Sequence, residues 1–325
     1  MNAIVLCAGP GSRLRPLTDT LPKVLVNLTG VVLLRDTLIH LHSSGISEIV
    51  VNGSPHAKQL REYILGSCDD LDVTITFQTE ETPLGTAGAV RKALPRLGNE
   101  FAVVHGSYLS RQPLAPLLAA HRRLDAEITL ALAPAGQQSE KELVLTTPEG
   151  FVSELPEKSS ADGILTNLAS SGIHICRKSV VENLTEGEYC DLSKDVFPGL
   201  LSRGARFAAD TPSGYSRNIS TLKDYLLACY DILSGAVDPW FGTHLPEDGK
   251  LVQGDIHPDC TLKGILWLRE GAVIESGCFL ENCVVMNNAV IGEGSHLRNT
   301  LVLPGSIVEP GTCCDDKYLS IIENG

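Results

Sequence analysis

The chain opens on an apolar run, Ala3-Ile4-Val5-Leu6-Cys7, which passes directly into a turn at Ala8-Gly9-Pro10-Gly11. A short apolar run bounded by glycine and proline predicts a buried strand. Leu34, Leu38 and Leu41 recur at helical spacing within 31–44, and Gly45 stands where such a helix would cap. Residues 48–52 read as a strand, 56–65 as a second helix, and 73–77 as an alternating β-branched strand. Buried-type strands follow at 101–107 and 128–133, and the pair 142–146 and 150–153 predicts a hairpin. Strands and helices alternating at this rhythm imply βαβ units, a mostly parallel sheet, and ligands at the carboxyl ends of its strands.

The last part of the chain changes period. Leu268, Val285 and Val302 recur every 17 residues, as do Ile274, Ile291 and Val308, and Gly277, Gly294 and Gly311. Within one unit the apolar positions fall six apart, at 268, 274 and 280. This is an internal repeat of hexapeptide type, and it predicts a short β-helix. Ile256 and Leu262 supply an earlier, irregular coil, while Asn282 and Asn299 fit tight corners. The expected architecture is therefore α/β: a Rossmann-like domain over 1–235, a linker over 236–250, and a left-handed β-helix of hexapeptide repeats over 251–325.

Composition narrows the partners. The chain has 325 residues with 43% hydrophobic and 20% charged content, as in a globular protein that buries its own core. A net charge of −13 disfavours wholesale binding to nucleic acid or to an anionic membrane, so any phosphate site must be a local positive patch. No apolar stretch approaches the ~20 residues that span a bilayer. The first residues lack a basic region and enter a strand at once, which argues against a signal peptide. The ten cysteines are dispersed, no Cys-x-x-Cys occurs, and Cys313-Cys314 has no histidine at metal-ligand spacing. Cys7, Cys176 and Cys229 sit among apolar residues and read as small buried side chains. A reduced cytoplasm is the expected setting.

The chemistry begins after the first strand. Gly9 and Gly11 leave room for backbone N–H groups to approach an anion, and Arg13 and Arg15 add forked positive charge suited to phosphate oxygens. Leu21-Pro22-Lys23 then places a lysine after a rigid turn. Gly-x-Gly after a strand is also compatible with an ordinary βα turn carrying two surface arginines. The full run from Ala8 to Thr18, followed by Pro22-Lys23-Val24-Leu25, is more specific. It resembles the signature of the sugar-1-phosphate nucleotidyltransferases (NDP-sugar pyrophosphorylases), mannose-1-phosphate guanylyltransferase-like, with Val24 where proline is common. The resemblance implies that Ala8, Gly9, Gly11, Ser12 and Arg13 contact the nucleotide, and that Arg13 and Lys23 are catalytic, lying against the phosphates.

Three further stretches extend the resemblance. Leu84-Gly85-Thr86-Ala87-Gly88-Ala89 is similar to the family's nucleobase segment, in the form seen in guanylyl- and some uridylyltransferases; by itself it would read as a glycine-rich connection. Glu157-Lys158 matches a sugar-phosphate element that normally continues with proline, although such a pair is usually a solvated surface pair. Asn167 to His174 resembles the sugar-binding segment, with Asn167 and Gly172 at the matching positions and Ser171 where alanine is usual.

The resemblance fails at the metal. Family members place an aspartate after the strand that here ends at His105-Gly106, and this chain has Ser107. The second family aspartate, in a segment similar to Gly214–Tyr225, is Asn218 here. Nucleotidyl transfer joins two anions, so catalysis rests on positioning and charge neutralisation. Mg²⁺, the implied cofactor, is a hard cation held by carboxylates and substrate phosphates. Losing one such electrostatic stabiliser costs on the order of 10²–10³ in rate. Two readings remain. One is a protein of the transferase fold that binds a nucleotide or NDP-sugar with weak or no activity, in a homo-oligomer or beside an active paralogue. The other is a working sugar-1-phosphate nucleotidyltransferase whose Mg²⁺ is weakly held by substrate phosphates and another carboxylate.

Overall fold

Strand β1 (Asn2–Leu6) lies inside a seven-stranded sheet with β2 (Glu48–Gly53), β3 (Thr74–Thr79), β4 (Glu100–His105), β5 (Ile128–Pro134), β6 (Leu168–Arg177) and β7 (Phe207–Asp210). The order is β7-β5-β6-β4-β1-β2-β3, and β6 alone runs antiparallel to its neighbours. The computed structural model describes residues 1–54, 57–137, 142–156, 166–237 and 246–319. These divide into two units. The first comprises Met1–Gly11, Leu21–Leu25 and Val32–Ser220; the second comprises Ser12–Thr20, Val26–Val31 and Thr221–Gly325.

In the first unit, apolar residues on alternate sides of β1 enter two different cores. Ala3 and Val5 pack on one face with Leu34 and Leu38 of α1 (Leu33–Ser43), Leu60 and Ile64 of α2 (Lys58–Ser67), and Leu117 of a helix over Leu114–Arg123. Ile4 packs on the other face with Ala87, Val90 and Ala93 of α3 (Gly85–Leu97), and with Phe197 and Leu200. The strongly apolar composition of β1 and β4 follows from this burial on both faces. The expected elements at 31–44, 48–52, 56–65 and 73–77 are present, with ends shifted by at most two residues. The hairpin pairs Leu145–Thr146 with Val152–Glu154.

The second unit contains the stacked coils. One ladder joins Thr261–Leu268, Phe279–Val285, His296–Val302 and Cys313–Asp315, all parallel. A second joins Asp255–Ile256, Val273–Ile274, Val290–Ile291 and Ile307–Val308. Val285 lies opposite Val302 and Ile291 opposite Val308, so the repeat read from the sequence is the stacking register of a region consistent with a left-handed β-helix. The first full coil is irregular because Thr261 pairs with Phe279 while Leu268 pairs with Val285, a one-residue slip between Lys263 and Leu266. Corners fall at residues with positive φ: Gly264 (62°), Asn282 (53°), Asn299 (46°) and Asp316 (53°). Asn282 Nδ2 donates to Asn299 Oδ1 at 3.2 Å, and Asn299 Nδ2 to Asp315 Oδ1 at 2.9 Å. Asparagine thus accepts the left-handed conformation and bonds to the next corner.

The helix Leu222–Leu233 also belongs to this unit. Thr221 and Asp224 cap it reciprocally, and the Tyr230 hydroxyl donates to the Asn282 carbonyl at a coil corner.

A buried polar chain ties the carboxyl ends of β1, β2 and β3 together. The Cys7 N–H donates to Asn52 Oδ1 at 2.6 Å, Asn52 Nδ2 donates to Glu80 Oε1 at 2.5 Å, and the Leu84 N–H donates to Glu80 Oε2 at 3.2 Å. Asn52 is 2% exposed and Glu80 4%. Replacing Asn52 with alanine leaves the Cys7 N–H and one Glu80 oxygen unmatched; we expect a loss of about 3 kcal/mol in urea unfolding. A second expectation concerns acid. Burial, with His105 nearby, lowers the His174 pKa to about 3, and burial next to Arg111 lowers that of His40 to about 4. Below the ordinary histidine value of about 6.5 the unfolded chain takes up protons that the folded chain refuses. Stability should therefore fall from about pH 6.5 down to about 4 through His40 and on to about 3 through His174, and a pH series of thermal melts should show a shallower fall for His174→Phe.

Candidate functional site

The four parallel strands β4-β1-β2-β3 end at one edge of the sheet, and the predicted phosphate loop leaves from β1 there. Ala8 is half-buried and Gly9 is exposed, with open space where a Cβ would stand. Gly11 has φ of 64°, so the turn needs a residue without a side chain at that point. Ser12 and Arg13 follow in a 3₁₀ turn, Ser12–Leu14, counted with the second unit; Arg13 is exposed.

Lys23 opens another 3₁₀ turn, Lys23–Leu25, held by the burial of Val24. Its Nζ donates to Ser220 Oγ at 3.3 Å, and Ser220 Oγ in turn donates to Asn218 Oδ1 at 2.7 Å. Ser107 and Asn218, 111 residues apart in the chain, are brought together. Strand Tyr108–Ser110 pairs with Ser216–Asn218, Tyr108 opposite Asn218, and the Ile219 N–H donates to the Ser107 carbonyl at 2.8 Å. Gly106 makes the crossing possible: its N–H donates to the Leu6 carbonyl at 3.0 Å, and a Cβ there would press on Cys7 Sγ and Val24 Cγ1. The two positions read as degenerate in the sequence thus share one place beside β1.

That place fits Mg²⁺ poorly. Ser107 offers a hydroxyl and Asn218 a neutral carboxamide whose oxygen already accepts from Ser220. An ammonium stands one hydrogen bond farther on, at Lys23. A hard dication prefers anionic oxygens, and here a fixed cation and hydrogen-bond donors occupy that role. Among the described residues no group of three or more His, Cys, Asp or Glu side chains is placed to hold a metal ion.

The predicted base segment begins α3. Gly85 has φ of 70°, and a Cβ on it would overlap the Cys190 carbonyl; one on Gly88 would meet the Glu188 carbonyl at 2.7 Å. The N–H groups of Ala87 and Gly88 both donate to the Cys190 carbonyl. Thr86 Oγ1 donates to Asp191 Oδ2 at 3.1 Å and accepts from the Leu192 N–H at 2.7 Å. The small residues at 85–88 thus admit a neighbouring loop, a reason the local sequence does not reveal. In the sugar segment, Gly172 has φ of 77° and lies so close to Tyr108 that a Cβ would strike its ring at 2.6 Å. Asn167 is exposed, its carbonyl accepting from the Ala135 N–H. Glu157 and Lys158 lie outside the described residues.

The sequence reading missed Asn52, Glu80, Asp36 and Arg111. Arg111 grips Asp36 of α1 through two bonds of 2.7 Å and fixes the end of the strand that carries Tyr108. Asn52 closes the apolar run of β2 and Glu80 follows β3, a signal that marks strand ends but not which ends meet.

Comparison with known proteins bears on the family and the fold. The chain is 29% identical over 315 residues to a protein named mannose-1-phosphate guanylyltransferase from Mycobacterium tuberculosis, covering 96% of this chain and 82% of that one. A UTP–glucose-1-phosphate uridylyltransferase of Synechocystis is 25% identical over 99% of this chain and 90% of its own. The crystal structure of HddC from Yersinia pseudotuberculosis complexed with GMP-PN, 21% identical, superposes with a TM-score of 0.60 over 70% of this chain and 97% of that chain, a likeness of fold. The family profile described as nucleotidyl transferase matches residues 2–235, and with β1, the phosphate loop and the Ser107–Asn218 crossing all inside that span, the chain belongs to the nucleotidyl transferase family.

Proposed function

We propose that this protein binds a nucleoside triphosphate or NDP-sugar on the transferase fold, with weak or no transfer activity, and serves as a regulatory or assembly subunit. The observation that carries the reading is the chain Lys23–Ser220–Asn218 beside Ser107, an ammonium, a hydroxyl and a carboxamide joined by hydrogen bonds where the resembled enzymes place two carboxylates. Lys23 then contributes positive charge to bound phosphates, and Arg13 adds a second cation from the loop. The small residues Ala8, Gly9, Gly11 and Ser12 let backbone N–H groups reach those phosphates. Gly85, Thr86, Ala87 and Gly88 bound the base, and Asn167, Gly172, Glu157 and Lys158 bound the sugar phosphate. Relatives named for guanylyl transfer to mannose 1-phosphate make GTP and GDP-mannose the first ligands to test.

The second reading is an active sugar-1-phosphate nucleotidyltransferase, releasing pyrophosphate from NTP and sugar 1-phosphate. Its support is a relative named for that activity that matches 96% of this chain. Mg²⁺ would there neutralise the triphosphate, held by the phosphates themselves more than by this chain.

Calorimetric titration with GTP, UTP and GDP-mannose should show binding whose affinity changes little with Mg²⁺. Arg13→Ala or Lys23→Ala should weaken it about tenfold or more, the loss expected for a charge-assisted phosphate contact. Unchanged affinity in both variants would sink the assignment of the loop. Pyrophosphate release from GTP and mannose 1-phosphate decides between the readings: turnover near the enzymatic median of about 10 s⁻¹ would establish the second. Restoring the carboxylates with Ser107→Asp and Asn218→Asp together should raise Mg²⁺-dependent release by about 10²-fold or more if the missing charge is the defect.

A further inference from the structure

The outer face of the coil ladder carries two columns of outward side chains whose order is set by the register. One column runs Lys263, Glu281, Arg298, Asp315, each directly opposite the next. Its charges alternate in sign, and Arg298 Nε already lies 3.1 Å from Glu281 Oε2. The other column runs Thr261, Phe279, His296, Cys313. Phe279 and His296 stack with ring centroids 5.7 Å apart, while Lys263 and Arg298 each stand 5.4 Å from the centre of the Phe279 ring. Lys263, His296, Arg298, Cys313 and Asp315 are exposed. At the Asp315 end the face dips into a hollow of about 390 Å³ lined by His296, Arg298, Cys313, Cys314 and Asp315.

A column of four charges in alternating sign has a symmetry property. Reversed end for end, plus-minus-plus-minus becomes minus-plus-minus-plus, so the column is complementary to its own inverted copy and repels a copy laid in the same direction. We infer that this face pairs with the same face of a second copy of the chain, about a two-fold axis parallel to the strands between the coils of Glu281 and Arg298. That axis preserves each column and reverses the order of coils. It sets Lys263 of one copy against Asp315 of the other, in the hollow, and Glu281 against Arg298 twice. In the neighbouring column it sets Phe279 against His296, an aromatic contact of the kind each chain already makes internally. A two-fold axis along the ladder would instead lay the charged column on the Thr261 column and match no charges. The surface is thus isologous, its partner a second copy.

Four rungs at the spacing of paired strands span about 15 Å, which gives less than the ~800 Å² per partner of a stable standard interface. The pairing is therefore weak, reversible and sensitive to salt. This inference is independent of the nucleotide reading.

The test is sedimentation velocity of the full chain. The wild type should form a dimer at low salt (about 50 mM) that dissociates at about 0.5 M. Lys263→Glu and Asp315→Lys, each putting like charges together twice across the axis, should raise the dissociation constant about tenfold or more. Combining the two should restore dimerisation, which a merely destabilised surface would not do. Thr261→Cys should form an intermolecular disulfide with Cys313 on mild oxidation, while wild-type Cys313, some 15 Å from its symmetry mate, should not link to itself. A monomer under all conditions, single charge swaps without effect, a double swap that fails to restore, or Cys313 self-linking would each overturn the inference; so would pairing of this face with a different protein only.

Discussion

The first unit depends on one buried carboxylate. Glu80 lies just after the end of β3, nearly without solvent, and its two oxygens accept hydrogen bonds from Asn52 at the end of β2 and from the backbone N–H of Leu84. Asn52 passes the constraint on to the Cys7 N–H where β1 ends. A buried carboxylate without partners would be very costly, so the three strand ends are fixed relative to one another as firmly as the sheet itself. The turn after β1 and the start of α3 leave from this tied edge, and Gly106 is bonded to the Leu6 carbonyl beside it. Rigid ends are what a binding loop needs, because a ligand then does not have to order the scaffold as well.

Beside that edge, Ser107 and Asn218 meet in a place built from a hydroxyl and a carboxamide. Asn218 keeps the shape of aspartate, accepts a hydrogen bond from Ser220, and is linked through it to Lys23. The glycines of the neighbouring segments answer to packing: Gly85 and Gly88 to the loop at 188–190, Gly172 to the ring of Tyr108. Such residues resist change whether or not the protein turns over substrate.

The coils obey a different rule. Each stacks its interior apolar positions on the coil before and after it, so much of their stability is built from neighbour contacts and corner asparagines. The same periodicity that stacks Leu268, Val285 and Val302 inside must also stack whatever points outward. A surface charge pattern with the period of the core is therefore a geometric consequence of the repeat, and its alternation in sign is what this particular sequence adds.

Much of this was legible in the residues. Alternation of strand and helix and the 17-residue period are local patterns, and local patterns survive because burial acts on every turn or coil alike. The turn after β1 was legible because Gly9 and Gly11 follow the apolar run directly, and Gly11 takes a positive φ there. The substitutions at 107 and 218 could be read singly from a resemblance. That they occupy one place, joined by the Ser107–Ile219 bond and the chain to Lys23, was decided by the tertiary fold. The partners of Glu80, of Arg111 and of the glycines in α3 were likewise settled only there. Hydrogen bonds between segments tens of residues apart leave no period in the sequence; they exist only once the sheet order has set which strand ends meet.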